Sequence, residues 1–320
     1  MTQNAHDSGG VPGYAVVPSE DYPTIQEAHD ALPPEGGGIW LRDSVTETGI
    51  VLEKPVKLVG QGTEFDTADA LRGRPVDAEP LGGPGATIDT SGGDGIHVAA
   101  TGAVLRDVQI VGDYTGGYGL EVDGNASRGC MTFENVLVAK KGGHGVVVTG
   151  GQLNSTFDVT VWDCRGDGWR FRCDWFNEHL FERMVAYGCA GNGVTIEQSM
   201  DPDAGDQRSR FGGNAVQQFW MEVNDGWGLY VEDEVRFEGN HLTGYGIEHN
   251  QDRDDGSNKV MRVRNLGTAD PERTGPSGNA LHVRNLLEGT VEVDREEFET
   301  FVATNYRTED GRVELLETGE

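Results

Sequence analysis

A glycine followed by alternating apolar residues recurs at nearly constant spacing, and this repeat limits the fold more than any other feature. The motif reads GIHV at Gly95, GLEV at Gly119, GVVV at Gly145, GWRF at Gly168, GVTI at Gly193 and GLYV at Gly228. The first four intervals are 24, 26, 23 and 25 residues. About twelve residues before most of these glycines, a second apolar segment begins at Phe133, Phe157, Phe181 and Val216. The pattern predicts a solenoid whose coils each hold at least two short strands.

Alternation within each motif predicts which side chains face the core. Strand side chains point to opposite faces in turn, so the first and third residues after each glycine are predicted to face inward. These are Ile96 and Val98, Leu120 and Val122, Val146 and Val148, Trp169 and Phe171, Val194 and Ile196, and Leu229 and Val231. The outward residues are predicted to form two ladders. One contains His97, Glu121, Val147, Arg170, Thr195 and Tyr230, and the other contains Asp123, Thr149, Arg172, Glu197 and Glu232.

Two long intervals indicate insertions, and one short interval indicates a shift of register. The 35 residues from Gly193 to Gly228 include a polar stretch at 199–210, which predicts a loop off the stack. The 34 residues from GIEH at Gly246 to ALHV at Ala280 include a similar stretch at 250–258. Only 18 residues separate Gly228 from Gly246, so that coil is either trimmed or wrongly aligned.

A short amphipathic helix is predicted near the start of the chain. Thr24 and Glu27 have the spacing of a capping box. The apolar positions that follow are Ile25, Ala28, Ala31 and Leu32, and the pair Pro33-Pro34 ends the helix. The exposed first coil of a solenoid needs a cap, and this helix is the predicted lid.

The order of these motifs supports a family resemblance. PTIQEAHDAL is followed by GGGIWL at Gly36 and by KLVGQG, and then by the coils. The chain resembles, over about Tyr22 to Glu288, the right-handed parallel β-helix proteins of the pectate-lyase-like superfamily, particularly the branch that includes viral tailspikes. After IWL that family usually continues with a proline and a glycine-tyrosine pair, whereas this chain reads RDSVTETG.

The expected fold is therefore all-β, a single-stranded right-handed parallel β-helix of about ten coils with a short N-terminal capping helix. At about 4.8 Å per coil, the stack is expected to be some 48 Å long. Residues 1–20 are interpreted as an N-terminal arm, 21–290 as the β-helix, and 291–320 as a C-terminal cap or tail.

The charge balance points to a high-salt environment. The chain has 54 acidic against 25 basic residues, a net charge of −29. Salt screens the self-repulsion of so acidic a protein, so the charge favours a high-salt cytoplasm. The phosphates of nucleic acid need a basic protein surface, so the charge excludes a general nucleic-acid binder. No Sec-type signal and no run of 18 apolar residues is found, so neither Sec secretion nor membrane insertion is expected.

The outward ladders supply the candidate site residues. Charged groups and aromatic rings suit sugar hydroxyls and sugar faces. The predicted glycan-binding set is Arg170, Arg172, Glu197, Tyr230, Glu232 and Trp220. Trp220 and Trp227 are expected to be exposed, and Trp220 faces either a sugar or a neighbouring subunit. Carboxylates one coil apart, as Glu197 and Glu232 are, have the spacing of a retaining glycosidase pair, and carboxylates two coils apart have that of an inverting pair. Asp163 and Glu222, in a second outward set on the preceding strand, are further catalytic candidates. An acidic surface also brings carboxylates together by chance.

Three further features are weaker. His144 in GGHG is similar to a histidine of polygalacturonase-type hydrolases, but it occupies a turn position held elsewhere by Tyr118, Asp167, Asn192 and Trp227, which favours a structural role. A calcium-loop pattern is formed by Asp252, Asp254 and Asn258, whose side-chain oxygens alternate around a glycine. The glutamate that would complete the loop is missing, which favours a solvated loop. No cofactor other than calcium is considered, and none is expected. Cys164 and Cys189 are predicted to stack as free thiols.

These observations, with the resemblance, predict a virion surface protein of a halophilic tailed virus. It would be a tail fibre, spike or capsid decoration that binds host surface glycans, assembled in a high-salt host cytoplasm. The expected partners are two further copies in a homotrimer, host glycan and other virion proteins. The alternatives are a polysaccharide lyase or glycoside hydrolase acting on acidic glycans, and a purely structural spacer.

Overall fold

The fold was obtained as a computed structural model. The structure describes residues 13–61, 86–124, 129–150, 152–172, 174–199, 209–233, 235–250, 257, 259–263, 278–287, 290–293 and 298–307. Over these ranges the chain is all-β, with parallel strands in three sheets and one helix. No helix in the described ranges has the length and apolar character needed to cross a membrane.

The strands, numbered in chain order, divide into sheets A, B and C. In the described ranges, sheet A contains 14 strands: β1 (Tyr14–Val17), β2 (Gly37–Leu41), β3 (Val45–Thr46), β5 (Val56–Gly60), β6 (Ala86–Asp89), β8 (Val104–Val111), β10 (Thr132–Ala139), β13 (Thr156–Trp162), β16 (Leu180–Tyr187), β19 (Ala215–Val216), β20 (Phe219–Glu222), β23 (His241–Glu248), β25 (Asn279–Leu287) and β27 (Phe298–Arg307). Sheet B contains nine: β4 (Ile50–Leu52), β7 (Ile96–Val98), β9 (Leu120–Asp123), β11 (Val146–Thr149), β14 (Trp169–Arg172), β17 (Val194–Glu197), β21 (Leu229–Val231), β24 (Lys259–Val263) and β26 (Thr290–Val293). Sheet C contains four: β12 (Gln152–Leu153), β15 (Trp175–Asn177), β18 (Arg210–Gly212) and β22 (Arg236–Glu238).

The chain visits the sheets in a repeating order. From β10 to β23 it passes from sheet A to sheet B to sheet C and back to sheet A, and these strands pair in parallel with their equivalents in neighbouring coils. This order is compatible with a parallel β-helix or another solenoid. Strand β1 lies in the segment interpreted as an arm, and β27 lies in the segment interpreted as a tail.

The predicted inward positions of sheet B form the core. All twelve of these side chains are at most 3% exposed, so the predicted alternation is confirmed. On sheet A, Phe157 stacks between Phe133 and Phe181, with ring centroids 5.0 and 4.8 Å apart. Because the same register repeats from coil to coil, one continuous apolar core runs through the stack.

Close approach of neighbouring coils explains the glycine in the motif. A Cβ atom on Gly95 would overlap the carbonyl oxygen of Gly119 in the next coil, and one on Gly228 would overlap the side chain of Ile247. Any larger residue would therefore force the coils apart.

The two ends of the insertion predicted at 199–210 lie close together. The Ser199 backbone N–H donates to Oγ of Ser209 at 2.8 Å, and the Ser209 N–H donates to Oε1 of Gln198 at 2.9 Å. Strand β17 pairs with β21, so the two flanking coils stack directly on each other. Residues 200–208 of the predicted loop lie outside the described residues, and Arg210, at its predicted end, already belongs to β18 of sheet C.

The alignment at Gly246 was wrong. Gly246 lies in β23 of sheet A, opposite Trp220, and the strand that follows β21 in sheet B is β24. Ala280 likewise lies in sheet A, opposite His241. The short interval arose because these segments share the alternation of sheet B strands while belonging to the other sheet.

Helix α1 (Ile25–Ala31) begins where the sequence predicts. Oγ1 of Thr24 accepts from the Glu27 N–H at 3.2 Å, and the carboxylate of Glu47 accepts from two further N–H groups of the first turn. Lys54 Nζ donates to the last carbonyls of the helix at 2.7–3.0 Å. Ala31, predicted on the apolar face, is exposed, whereas His29 is buried. The helix packs against β1, β2 and β4 at the start of the stack.

A ladder of buried polar side chains ties five coils together at the turn before sheet A. Each member accepts a hydrogen bond from the backbone N–H of the residue one coil earlier. The members are Ser155, His179, Asn214, Asn240 and Asn279. The ladder satisfies backbone groups that strand pairing leaves unpaired.

Candidate functional site

Arg170, Arg172 and Glu197 form a charged cluster on the outward face of sheet B, which we call the arginine cluster. Strands β14 and β17 place Arg172 directly opposite Glu197. Nε and Nη2 of Arg170 both donate to Oε2 of Glu197, at 3.1 and 2.7 Å. Oε1 of Glu197 contacts Nε of Arg172 in a second ion pair. The carboxylate therefore holds two guanidinium groups side by side, and the hydrogen bonds to Glu197 raise the pKa of Arg170.

The two arginines differ in exposure. The side chain of Arg172 is 58% exposed, against 30% for Arg170 and 15% for Glu197. Oε1 of Glu197 contacts Arg172 at Nε, on the inner side of the guanidinium. The outer edge of the Arg172 guanidinium, with its terminal N–H groups, therefore faces solvent.

His144 lies beside the arginine cluster and has the predicted turn role. Its Nδ1 is 2.9 Å from the backbone N–H of Asp167, and its Nε2 is 2.8 Å from Nη1 of Arg170. Asp167 accepts in the same way from the N–H of Asn192, and Asn192 accepts from that of Trp227. Burial, with a contribution from Arg170, lowers the pKa of His144, which favours the neutral ring.

Tyr230 and Glu232 lie on the same outward face. Tyr230 pairs with Thr195, which pairs with Arg170, so the phenol lies two coils from the guanidinium. Burial raises the pKa of Tyr230. Oε2 of Glu232 accepts from the Gln198 N–H at 2.6 Å. Five of the six predicted glycan-binding residues are thus brought to one face.

Trp175 is an exposed aromatic residue that the sequence analysis missed. Its side chain is 56% exposed, and the guanidinium of Arg210 lies 5.8 Å from the ring centroid. Arg210 is held by Glu238 at 2.5 Å. Trp175 begins β15, three residues after Arg172. Sheet C lacks the glycine motif, so only the sequence RCDWFN, with a tryptophan directly after a charged residue, could have indicated it.

Trp220 lies elsewhere and is buried, so the expectation of an exposed ring is wrong. It is 7% exposed and belongs to a second apolar cluster on sheet A, separate from the main core. The members of that cluster are Leu137, Ala139, Trp162, Val185, Tyr187 and Trp220, with Val223 and Tyr245 packed against it. Trp227 is half-buried, with Lys259 Nζ 5.8 Å from its ring centroid. Neighbouring aromatic side chains from successive coils cover the Trp220 indole.

The remaining catalytic candidates, Asp163 and Glu222, lie at the carboxyl ends of sheet A strands β13 and β20. The Tyr114 hydroxyl donates to the carboxylate of Asp163, and burial together with that carboxylate raises the pKa of Tyr114. Oε2 of Glu222 accepts from Nε1 of Trp220 at 2.8 Å. Burial, and then the charge of Glu248, raise the pKa of Glu222. Neither carboxylate touches the arginine cluster in the described contacts.

Glu248 and His249 were not predicted as site residues. Glu248 ends β23 and His249 follows it, and the sequence analysis assigned this segment to the wrong sheet, so their position beside Glu222 was hidden. The acidic and histidine content of GIEHN was the available signal. The calcium candidates Asp252, Asp254 and Asn258 lie outside the described residues.

The two stacked cysteines are both buried thiols. Cys164 and Cys189 are 1% and 0% exposed. A hydrogen bond with Cys164, together with burial, raises the pKa of the Cys189 thiol, which makes it a poor nucleophile at neutral pH.

Comparisons with known proteins found no relative of this chain. The chain matches no protein-family model, no curated protein and no solved structure.

Proposed function

We propose that this chain is a single-stranded right-handed parallel β-helix whose arginine cluster and Trp175 bind acidic cell-surface glycans. Right-handed connections between parallel strands are strongly preferred, which supports the proposed hand. The repeated passage through three sheets supports one chain winding around one core.

The observation that carries the binding proposal is an exposed guanidinium at the end of β14 and an exposed indole at the start of β15. Arg172 is held at Nε by Glu197 while its outer edge faces solvent, and Trp175 follows three residues later. A planar fork of N–H donors suits the carboxylate or sulfate of an acidic sugar, and an indole face packs on a sugar ring. On a chain with a net charge of −29, a cluster of arginines is the region most suited to an anionic ligand.

The viral setting rests on the family resemblance and on the halophile-like charge. In this proposal the protein is a tail fibre, spike or capsid decoration of a halophilic tailed virus, present on the virion surface. Its partners are further copies in a homotrimer, host glycan and other virion proteins. Tyr14 is 57% exposed, and it replaces Trp220 as an aromatic residue that a neighbour could cover. Light scattering in high salt should report three times the mass of one chain, and a monomer would contradict the trimer.

The binding experiment compares matched pairs of exposed residues. Titration calorimetry in about 2 M salt, where weak surface attraction is screened, should detect polygalacturonate or a sulfated polysaccharide and not neutral dextran. The double variant R172A/W175A should lose at least tenfold in affinity. The control R106A/W40A removes an arginine that is paired with Glu134 and 50% exposed, together with an exposed tryptophan, and should bind like the wild type.

Other outcomes favour the alternatives. Equal binding by both double variants would overturn the assigned site, and absence of binding to any acidic glycan would favour a spacer. Release of reducing or unsaturated ends that Glu222→Gln abolishes would favour an enzyme, because the raised pKa of Glu222 suits a general acid.

A further inference from the structure

Glu222, Glu248 and His249 bring three metal-ligating side chains together on sheet A, away from the arginine cluster. One ligand atom from each side chain lies within 4.8 Å of the others. Glu222 ends β20 and Glu248 ends β23, and the two residues pair directly across neighbouring coils. His249 follows Glu248 at the turn. We call these three residues the Glu-Glu-His site.

Burial separates this site from the many surface carboxylates of the chain. Glu248 is 5% exposed and Glu222 is half-buried, whereas His249 is exposed and faces solvent. Two carboxylates held one coil apart, one buried and one half-buried, repel each other more than surface carboxylates do. A bound cation would remove that repulsion, and the exposed imidazole leaves a route for the ion to enter.

Residues outside the site orient both carboxylates. Nε1 of Trp220 donates to Oε2 of Glu222 at 2.8 Å, and the amide of Asn285 donates to Oε1 of Glu248. Asn285 is itself 5% exposed and lies one coil beyond Glu248 in β25. Outer hydrogen bonds of this kind commonly hold metal-binding carboxylates in place.

We propose that Glu222, Glu248 and His249 bind one divalent transition-metal ion of the Zn²⁺ or Co²⁺ type. An imidazole nitrogen with two carboxylate oxygens suits such ions better than Ca²⁺, which takes oxygen ligands alone. Ligand bonds of about 2.0–2.2 Å require the three atoms to draw closer, and a rotation of the exposed His249 side chain provides this. Three protein ligands leave a coordination position open for water or for an oxygen of a bound molecule.

The test uses Co²⁺ and Zn²⁺ on the full chain after treatment with a chelator. In about 2 M salt, where diffuse attraction to an acidic surface is screened, Co²⁺ should give visible absorption bands that saturate at one ion per chain. Zn²⁺ should displace Co²⁺, and Ca²⁺ in equal amount should not. His249→Asn should raise the Kd for Co²⁺ at least tenfold. His249 has φ 51°, a conformation that asparagine tolerates, so this variant should fold normally.

The matched control is His241→Asn, an exposed histidine on the same strand, which should leave the Kd unchanged. Glu248→Gln should weaken binding as His249→Asn does. Weak uptake of several ions that His249→Asn does not alter would overturn the site, as would displacement of Co²⁺ by Ca²⁺. Binding unaffected by Glu248→Gln, in a variant whose circular dichroism matches the wild type, would also overturn it.

Discussion

Arg170 donates two hydrogen bonds to a single carboxylate oxygen of Glu197, from Nε at 3.1 Å and from Nη2 at 2.7 Å. The other oxygen of Glu197 is left for Arg172. A carboxylate held by two guanidinium groups is poorly suited to carry a proton during catalysis. The geometry therefore favours Glu197 as the group that positions two arginines.

Replacing Glu197 by Gln should destabilise the fold by about 1–2 kcal/mol, because two arginines lose the charge that holds them in a partly buried cluster. Glu134→Gln is the control, because Glu134 is 43% exposed and pairs with Arg106, so its loss should cost at most about 0.5 kcal/mol. Urea unfolding in high salt measures both. Equal costs would mean that the arginine cluster contributes no more than a surface pair.

Acid should destabilise the wild type more than the variant His144→Asn. Burial lowers the folded-state pKa of His144 below its ordinary value of 6.5. The unfolded chain then binds more protons near that value, so the stabilising contribution is complete above pH 6.5 and is lost as the pH falls. Asn can still accept from the Asp167 N–H, because Asn192, two coils further on, accepts from the Trp227 N–H in the same way.

The measurement is the unfolding free energy of both proteins at about pH 7.5 and about pH 5. The advantage of the wild type over His144→Asn should shrink at the lower pH. His241→Asn, at an exposed histidine, should follow the wild type at both values. Parallel pH dependences for wild type and His144→Asn would contradict the prediction.

Phe171→Ala should cost about 3–5 kcal/mol, as a large-to-small change in a packed core. The ring is 0% exposed and lies 5.1 Å from Phe176 and from Phe211. Arg172→Ala on the same strand should cost little, because that side chain is 58% exposed. Thermal unfolding of the two variants checks the inward-outward register, and similar losses would refute it.

Asn240→Ala should cost about 2–4 kcal/mol, because it leaves buried polar groups without partners. The Asn240 amide accepts from Asn214 and donates to Oδ1 of Asn279 and to the Phe211 carbonyl. The control is Gln217→Ala, because Gln217 is exposed and is not a member of the ladder. This variant should change stability by less than about 0.5 kcal/mol. If denaturant titration gives the two variants the same free energy of unfolding, the ladder does not stabilise the fold.

Removing salt should unfold the protein. A net charge of −29 repels itself, and the repulsion is unscreened at low ionic strength. Circular dichroism should show loss of β structure between about 3 M and about 0.05 M salt. An unchanged spectrum would show that packing of the core outweighs the repulsion.

Some of the candidate site could be read from the sequence and some could not. The arginine cluster was found because Arg172 and Glu197 are each the fourth residue after successive glycines and Arg170 is the second, so sequence position alone puts all three on one outward face. Glu248 was missed because the insertions make the spacing of coils irregular, and β23 carries an alternation that fits either sheet. Trp175 was missed because sheet C has short strands without a glycine motif.

The sequence by itself determined the repeat and the alternation of each strand, because both depend on local chemistry: a glycine where neighbouring coils touch, and apolar side chains at every second position. Only the tertiary structure decided which charges are paired, that Trp220 is covered, and that Glu222 meets Glu248. The pairs Arg172–Glu197, Trp220–Tyr245 and Glu222–Glu248 are 25 or 26 positions apart. Such relations depend on strand register and on burial, which insertions of variable length leave open.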